Sequence, residues 1–190
     1  MKSHLENPFR TLGVNANISR KVLRELQQSL RTRLKIKQKI TIKDPLVFLS
    51  SVTLTETTIR EANNLLENPS QRLQARLFWF TNTNEVDERA LSYLLSSELQ
   101  AAIQEWEKDG QITSKVNLAR VYLFLIATDF NNTIKYWEKA LVIWQEVLAT
   151  EGFWIIFNDW EITSRFEPPA TNLDLKEFRT QAFSLVLEPF

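Results

Sequence analysis

The residue types that carry most enzyme chemistry are scarce in this chain. Among 190 residues there is one histidine, His4, beside the N-terminus, and there is no cysteine. A histidine-based triad, a thiolate nucleophile and the usual zinc ligand sets therefore have almost nothing to be built from. The three glycines, Gly13, Gly110 and Gly152, are far apart. A Gly-rich phosphate cradle of the nucleotide-binding kind is excluded with them. The acids Glu105, Glu107, Asp109, Asp159 and Glu161 offer the oxygens of a metal or acid/base pair. With no histidine nearby they read as a solvated surface, so no catalytic residue, metal or cofactor is expected. The residues that do concentrate are cations. Residues 20–43 hold nine Lys/Arg and a single acid, Glu25. At the helical 100° per residue, Arg20, Arg24, Arg31 and Lys35 fall within about 60° of one another. They lie opposite the apolar face expected from Val22, Leu26 and Leu30. Such a stripe steers an acidic partner, and these four residues are the predicted partner-binding set. The alternative is a solvated face, or one that docks on the chain's own acids. A nucleic-acid role is disfavoured because the stripe lacks interleaved aromatics for base stacking.

The elements that must position this stripe are helical throughout. Composition is that of an ordinary globular chain, with 44% hydrophobic and 24% charged residues. No apolar run approaches the ~18 residues of a membrane span, and no secretory h-region opens the chain; a cytoplasmic protein is expected. Asn7-Pro8 starts a short helix that Gly13 ends. Ser19 caps a helix reaching about Lys37, and Gln38–Val52 reads as a loop interrupted by Asp44-Pro45. Thr53-x-x-Glu56 has capping-box spacing for a third helix, and Asn68-Pro69 ends it and opens a fourth. After the polar run Thr81–Glu88, helices are predicted near Asp87–Leu95, Glu98–Lys108, Lys115–Thr128 and Thr133–Ala149. Gly152–Trp160 and a last helix capped by Asn172 follow. The fold class is all-α, with a basic module over 1–80 and an acidic one over 81–190. Residues 1–80 carry 14 Lys/Arg against 6 Asp/Glu, and residues 81–190 carry 9 against 17. The ending Leu187-Glu188-Pro189-Phe190 lacks a polar tail, so the second module reads as a piece cut from a longer one.

Three local signatures in the first 80 residues resemble the J-domain of DnaJ-type co-chaperones. Asn7-Pro8-Phe9-Arg10-Thr11-Leu12-Gly13-Val14 stands where that family has its opening aromatic-x-x-Leu-Gly-Val. Ile18–Lys37 is similar to its basic second helix. Ile59–Arg72 is similar to its third helix and the start of its fourth. The resemblance implies that the basic helix meets an acidic patch on a DnaK-type chaperone. The family's His-Pro-Asp signature is absent: the corresponding loop offers Lys43-Asp44-Pro45, and His4 lies outside it. Stimulation of a chaperone's ATPase is therefore not expected. In the second half, Ala102-Ile103-x-x-Trp106 recurs as Ala140-Leu141-x-x-Trp144. That pattern resembles tetratricopeptide-type helix pairs, in which a small residue admits a large one from the neighbouring helix. The family's usual proline is missing, and the spacing is 38 residues.

These features describe a non-catalytic interaction adaptor, a J-like module joined to helical hairpins, whose partner is another protein. Two alternatives stay open: an assembly protein self-associating through its basic and acidic halves, and a nucleic-acid-associated protein using the second helix. The aromatic runs Phe78-Trp79-Phe80 and Phe153-Trp154 with Phe157 and Trp160 are expected to form the interface between the halves. Arg72, in the unfavourable first turn of a helix, is expected to have an acidic partner, Glu67 or one in the second half.

Overall fold

A computed structural model describes residues 6–38, 40, 42, 44–46 and 52–187. Among these residues the chain is all-helical, without a strand. In chain order the helices are α1 Pro8–Leu12, α2 Arg20–Lys35, α3 Glu56–Glu67, α4 Pro69–Leu77 and α5 Glu85–Leu95. They continue as α6 Leu99–Asp109, α7 Ile112–Ile126, α8 Thr133–Ala149, α9 Glu151–Ser164 and α10 Asn172–Leu187. No single helix among the described residues is long and apolar enough to cross a membrane. His4, Lys39 and Lys43 lie outside the described residues.

The helix ends follow from the residues placed there. The Asn7 side chain accepts from the Phe9 amide, Pro8 occupies the first turn, and Gly13 closes α1 at φ 67°. That left-handed backbone is one an L side chain rarely adopts. Ser19 caps α2 and Asn68 caps α4. Two caps fall elsewhere than expected. The α3 box pairs Thr55 with Thr58 rather than Thr53 with Glu56. At α10, Thr171 takes the capping role from Asn172, its hydroxyl accepting from the Asp174 amide and donating to the Asp174 carboxylate. In both cases a hydroxyl two residues or one residue away from the expected start completes reciprocal bonds that the expected residue does not make.

The polar run after residue 80 is held tightly at its start. Thr81 is buried; its amide donates to Asn117 Oδ1 at 3.1 Å, and its carbonyl accepts from Asn117 Nδ2 at 2.9 Å. Asn84 then caps α5. From there the second half is a run of neighbouring helices: α5 packs on α6, α6 on α7, α7 on α8 and α8 on α9. The last helix, α10, lies against both α8 and α4, so it joins the two halves. Helix α7 is buried along nearly its whole length.

The repeated small-residue and tryptophan positions explain how the halves meet. Ala102, Trp106, Ala140 and Trp144 are all fully buried. Each tryptophan receives a ring from the end of the first half: Phe80 stacks on Trp106 at 6.0 Å, and Phe78 meets Trp144 edge-on at 6.3 Å. Trp79 packs edge-on against Phe124 of α7. The first aromatic run thus forms the seam between the halves. The second run does something different, packing chiefly within its own half, with Phe157 stacked on Phe178 of α10 at 5.5 Å. Aromatic pairs of this geometry contribute about 0.5–1.5 kcal/mol each beyond their area burial.

Candidate protein-interaction surface

Helix α2 presents the predicted basic stripe, but its inward face differs from the expected one. Leu23, Gln27 and Leu30 are buried, whereas Val22 is 51% exposed. Gln27 donates its amide to Asn63 Oδ1 of α3, which is how a polar residue is accommodated on the packed face. The stripe of Arg20, Arg24, Arg31 and Lys35 consequently flanks the buried face, roughly a quarter turn away, instead of standing opposite it.

That quarter turn sorts the four cations. Arg20, at the start of the helix, has only 11% of its side chain exposed. Its Nη2 donates to Glu67 Oε1 at 3.0 Å, and its guanidinium carbon lies 5.5 Å from the ring centre of Phe166. Arg24 stands 4.0 Å from Glu167, with both side chains mostly in solvent. Arg31 and Lys35 are exposed, and among the described residues neither forms an ion pair. Lys21 and Lys37 are also exposed. The structure therefore brings three of the four predicted residues to the surface and folds Arg20 against the chain itself.

The loop between α2 and α3 shows what Asp44-Pro45 does here. Arg10 of α1 donates from Nε at 3.0 Å and from Nη2 at 2.9 Å to Asp44 Oδ2. Asp44 Oδ1 accepts from the Leu46 amide at 2.9 Å, and Pro45 is buried. The carboxylate is spent on tying the loop to α1. Beside it, a groove of about 670 Å³ opens between the start of α2 and α5, with Ile18, Val22, Pro45, Trp79, Leu91 and Leu95 among its walls.

The acids read as solvated surface take several roles. Glu105 pairs with Arg89 at 3.3 Å, Glu107 accepts the Tyr122 hydroxyl at 2.9 Å, and Asp109 accepts from Ser114 at 2.7 Å. Asp159 is exposed. Glu161 overturns the expectation, for it is only 4% exposed and bridges two buried arginines. Arg72 Nε donates to its Oε1 at 3.0 Å, and Arg72 Nη2 also reaches it. Arg76 Nη2 lies 3.2 Å from its Oε2. Arg72 further donates to the carbonyls of Leu66 and Pro168, and Arg76 to those of Ala16 and Trp160. The acidic partner expected for Arg72 is thus in the second half. Its signal was present: Glu161 stands four residues after Phe157, on the helical side that buries Phe157 and Ser164.

A third buried arginine, Arg120, completes this seam. It donates to the carbonyls of Leu77 and Arg76, both at 2.9 Å, and to Asn117 Oδ1 at 2.9 Å. Asn117 in turn donates to Asp87, which also accepts from the Trp106 indole at 3.0 Å. Burial pushes Arg76 down to about 10 and Arg120 down to about 9, with Glu161 and Asp87 respectively acting in the opposite direction. Both remain cations at neutral pH. Among the described residues no group of His, Asp or Glu has the arrangement that would hold a metal ion.

No protein-family model, no curated protein and no solved structure matches this chain.

Proposed function

We propose that the chain is a non-catalytic protein-interaction adaptor of the cytoplasm, in which a degenerate J-domain-like module is joined to tetratricopeptide-like helical hairpins. Its partner is a protein with an acidic surface, a DnaK-type chaperone being the candidate that the resemblance suggests. The observation that supports this reading is the division of labour on α2. The helix is anchored by Leu23, Gln27 and Leu30, while Arg24, Arg31 and Lys35 stand in solvent. Cations placed this way raise the rate of encounter with an acidic surface without being needed for folding. The loop supports the non-stimulating part of the reading, because the residue directly before Pro45 is Asp44, which is committed to Arg10, and not a histidine.

The test is association of the purified chain with a DnaK-type chaperone, followed by titration of the chaperone's ATPase. Binding without stimulation is expected. A variant carrying Arg24→Glu, Arg31→Glu and Lys35→Glu should lose binding while melting as the wild type does. Stimulation by the wild type would overturn the non-stimulating reading, and unchanged binding by the variant would remove α2 from it. The assembly alternative is separated by sedimentation, where self-pairing of basic and acidic halves would appear as salt-sensitive oligomers.

A further inference from the structure

The basic stripe of α2 is partly occupied by the chain itself. The turn after α9 carries Phe166 and Glu167, and both face the N-terminal part of the stripe. The Phe166 ring lies 5.5 Å from the guanidinium of Arg20, and Glu167 lies 4.0 Å from that of Arg24. On its other contact Phe166 meets Arg72, at 4.9 Å. The base of the turn is held from α4, since Arg72 donates to the Pro168 carbonyl at 2.9 Å and binds Glu161. An aromatic and an acid carried by the acidic half therefore sit where an acidic protein partner would engage this helix.

The cover over Arg20 is incomplete in a telling way. Its Nε and Nη1 are buried, and among the described residues neither has a hydrogen-bond partner. Its Nη2 is bonded to Glu67, whose own side chain is about half exposed. A ring face attracts a cation but accepts no strong hydrogen bond, so these two nitrogens have lost water without gaining an oxygen among the described residues. A carboxylate would supply that oxygen to one of them at a time, pairing across Nε and Nη2 or across Nη1 and Nη2, the two edges a guanidinium offers. Arg31 and Lys35, farther along the helix, have no such cover.

We infer that the Phe166–Glu167 turn is an internal competitor for the basic helix, leaving Arg31 and Lys35 open while withholding Arg20 from an acidic protein partner. This inference rests on the reading of α2 as a partner surface. A carboxylate-rich segment first meets the open end of the stripe, then gains Arg20 only by displacing the ring. The second half thereby sets the affinity of the first, with α4 as the shared anchor. Contact between the modules is a brake on binding as well as a structural seam.

The experiment uses the full chain and a fluorescently labelled oligo-glutamate peptide as the acidic probe, read by anisotropy. In the otherwise wild-type chain, Arg31→Gln should weaken binding about two- to five-fold, the range of exposed charge pairs. Arg20→Gln should change it less than two-fold, because Arg20 is withheld. Phe166→Ala should tighten binding, and in that background Arg20→Gln should now weaken it as Arg31→Gln does. Glu167→Gln, an exposed change that leaves the core intact, should also tighten binding, more than the equally charged Glu138→Gln on α8. If Arg20→Gln weakens the unmodified chain as much as Arg31→Gln, Arg20 was already available and the internal competitor is refuted. Equal gains from Glu167→Gln and Glu138→Gln would refute it as well, showing only a general charge effect. If Arg31→Gln has no effect at all, the failure belongs instead to the reading of α2 as the partner surface. Should Phe166→Ala unfold the chain, the comparison of Glu167→Gln with Glu138→Gln decides alone.

Discussion

Arg72 and Arg31 belong to the same basic half, yet they do opposite things. Arg72 has no exposed side-chain surface and is bound by Glu161 and the carbonyls of Leu66 and Pro168. Arg31 is exposed on α2. The difference lies in what surrounds each helix. Helix α4 has neighbours on several sides, α1, α3 and α10 among them. Any arginine pointing inward from α4 must be met by oxygens, or its burial is prohibitive. Helix α2 is packed along one face only, so Arg24, Arg31 and Lys35 keep their water, while Arg20 at its start is folded against Phe166 and Glu67. A cation in the seam is therefore part of the fold, while Arg31 and Lys35 on α2 stay in solvent.

The strongest way to break that contrast is Glu161→Gln. It leaves Arg72 and Arg76 buried without their carboxylate, and unpairing a buried charge costs about 3–5 kcal/mol. Chemical denaturation should show that loss as a lowered midpoint. A change below ~1 kcal/mol would mean that the carbonyls alone satisfy both arginines. Next is Phe80→Ala, which removes the ring stacked on Trp106 and leaves a cavity between the halves. A loss of about 3–5 kcal/mol is expected, and unfolding monitored at the two halves separately should lose its coincidence if the seam is what couples them.

A smaller effect is expected where the pair is only partly buried. Asp44→Ala removes the carboxylate that Arg10 holds, with side-chain exposures of 4% and 13% for the two partners. A cost of about 1–3 kcal/mol follows from losing hydrogen bonds to a charged group. Hydrogen exchange should then quicken at the Leu46 amide, which Asp44 also accepts. The smallest effect sharpens the comparison from the other side. Arg31→Glu with Lys35→Glu should leave stability within about 0.5 kcal/mol, as for other exposed positions, and change only salt-dependent association. A large loss of stability there would place these two residues with Arg72 as parts of the fold.

Most of the local structure was readable because it depends on neighbours in the chain. Asn7-Pro8, Ser19 and Asn68-Pro69 cap helices through side chains that reach amides two or three residues away. The Ala-to-Trp spacing in α6 and α8 marked residues that are fully buried. Val22 escapes a periodicity argument, which treats every apolar residue as inward, while the packed face of α2 accepts Gln27 instead. Gln27 is tolerated there only because Asn63 of α3 offers an oxygen, a fact 36 residues away and invisible to helical spacing. Glu161 escapes it for the same reason. An acid on an aromatic helix reads as solvated until two arginines from another helix are seen to meet it.

By itself, then, the sequence determined the helical class, most caps, the aromatic and small-residue positions of the seam, and the basic stripe. These rest on backbone hydrogen bonding, turn chemistry and a periodicity of 3.6 residues, all of which act over a few positions. Only the tertiary structure decided which charges stay in water. Arg20 and Arg24 differ by a single turn of helix, yet Arg20 is folded under Phe166 and Arg24 is not. Phe166 lies 146 residues beyond Arg20 in the chain, and the free energy of an ionised group depends on the atoms that replace its water, wherever in the sequence they come from.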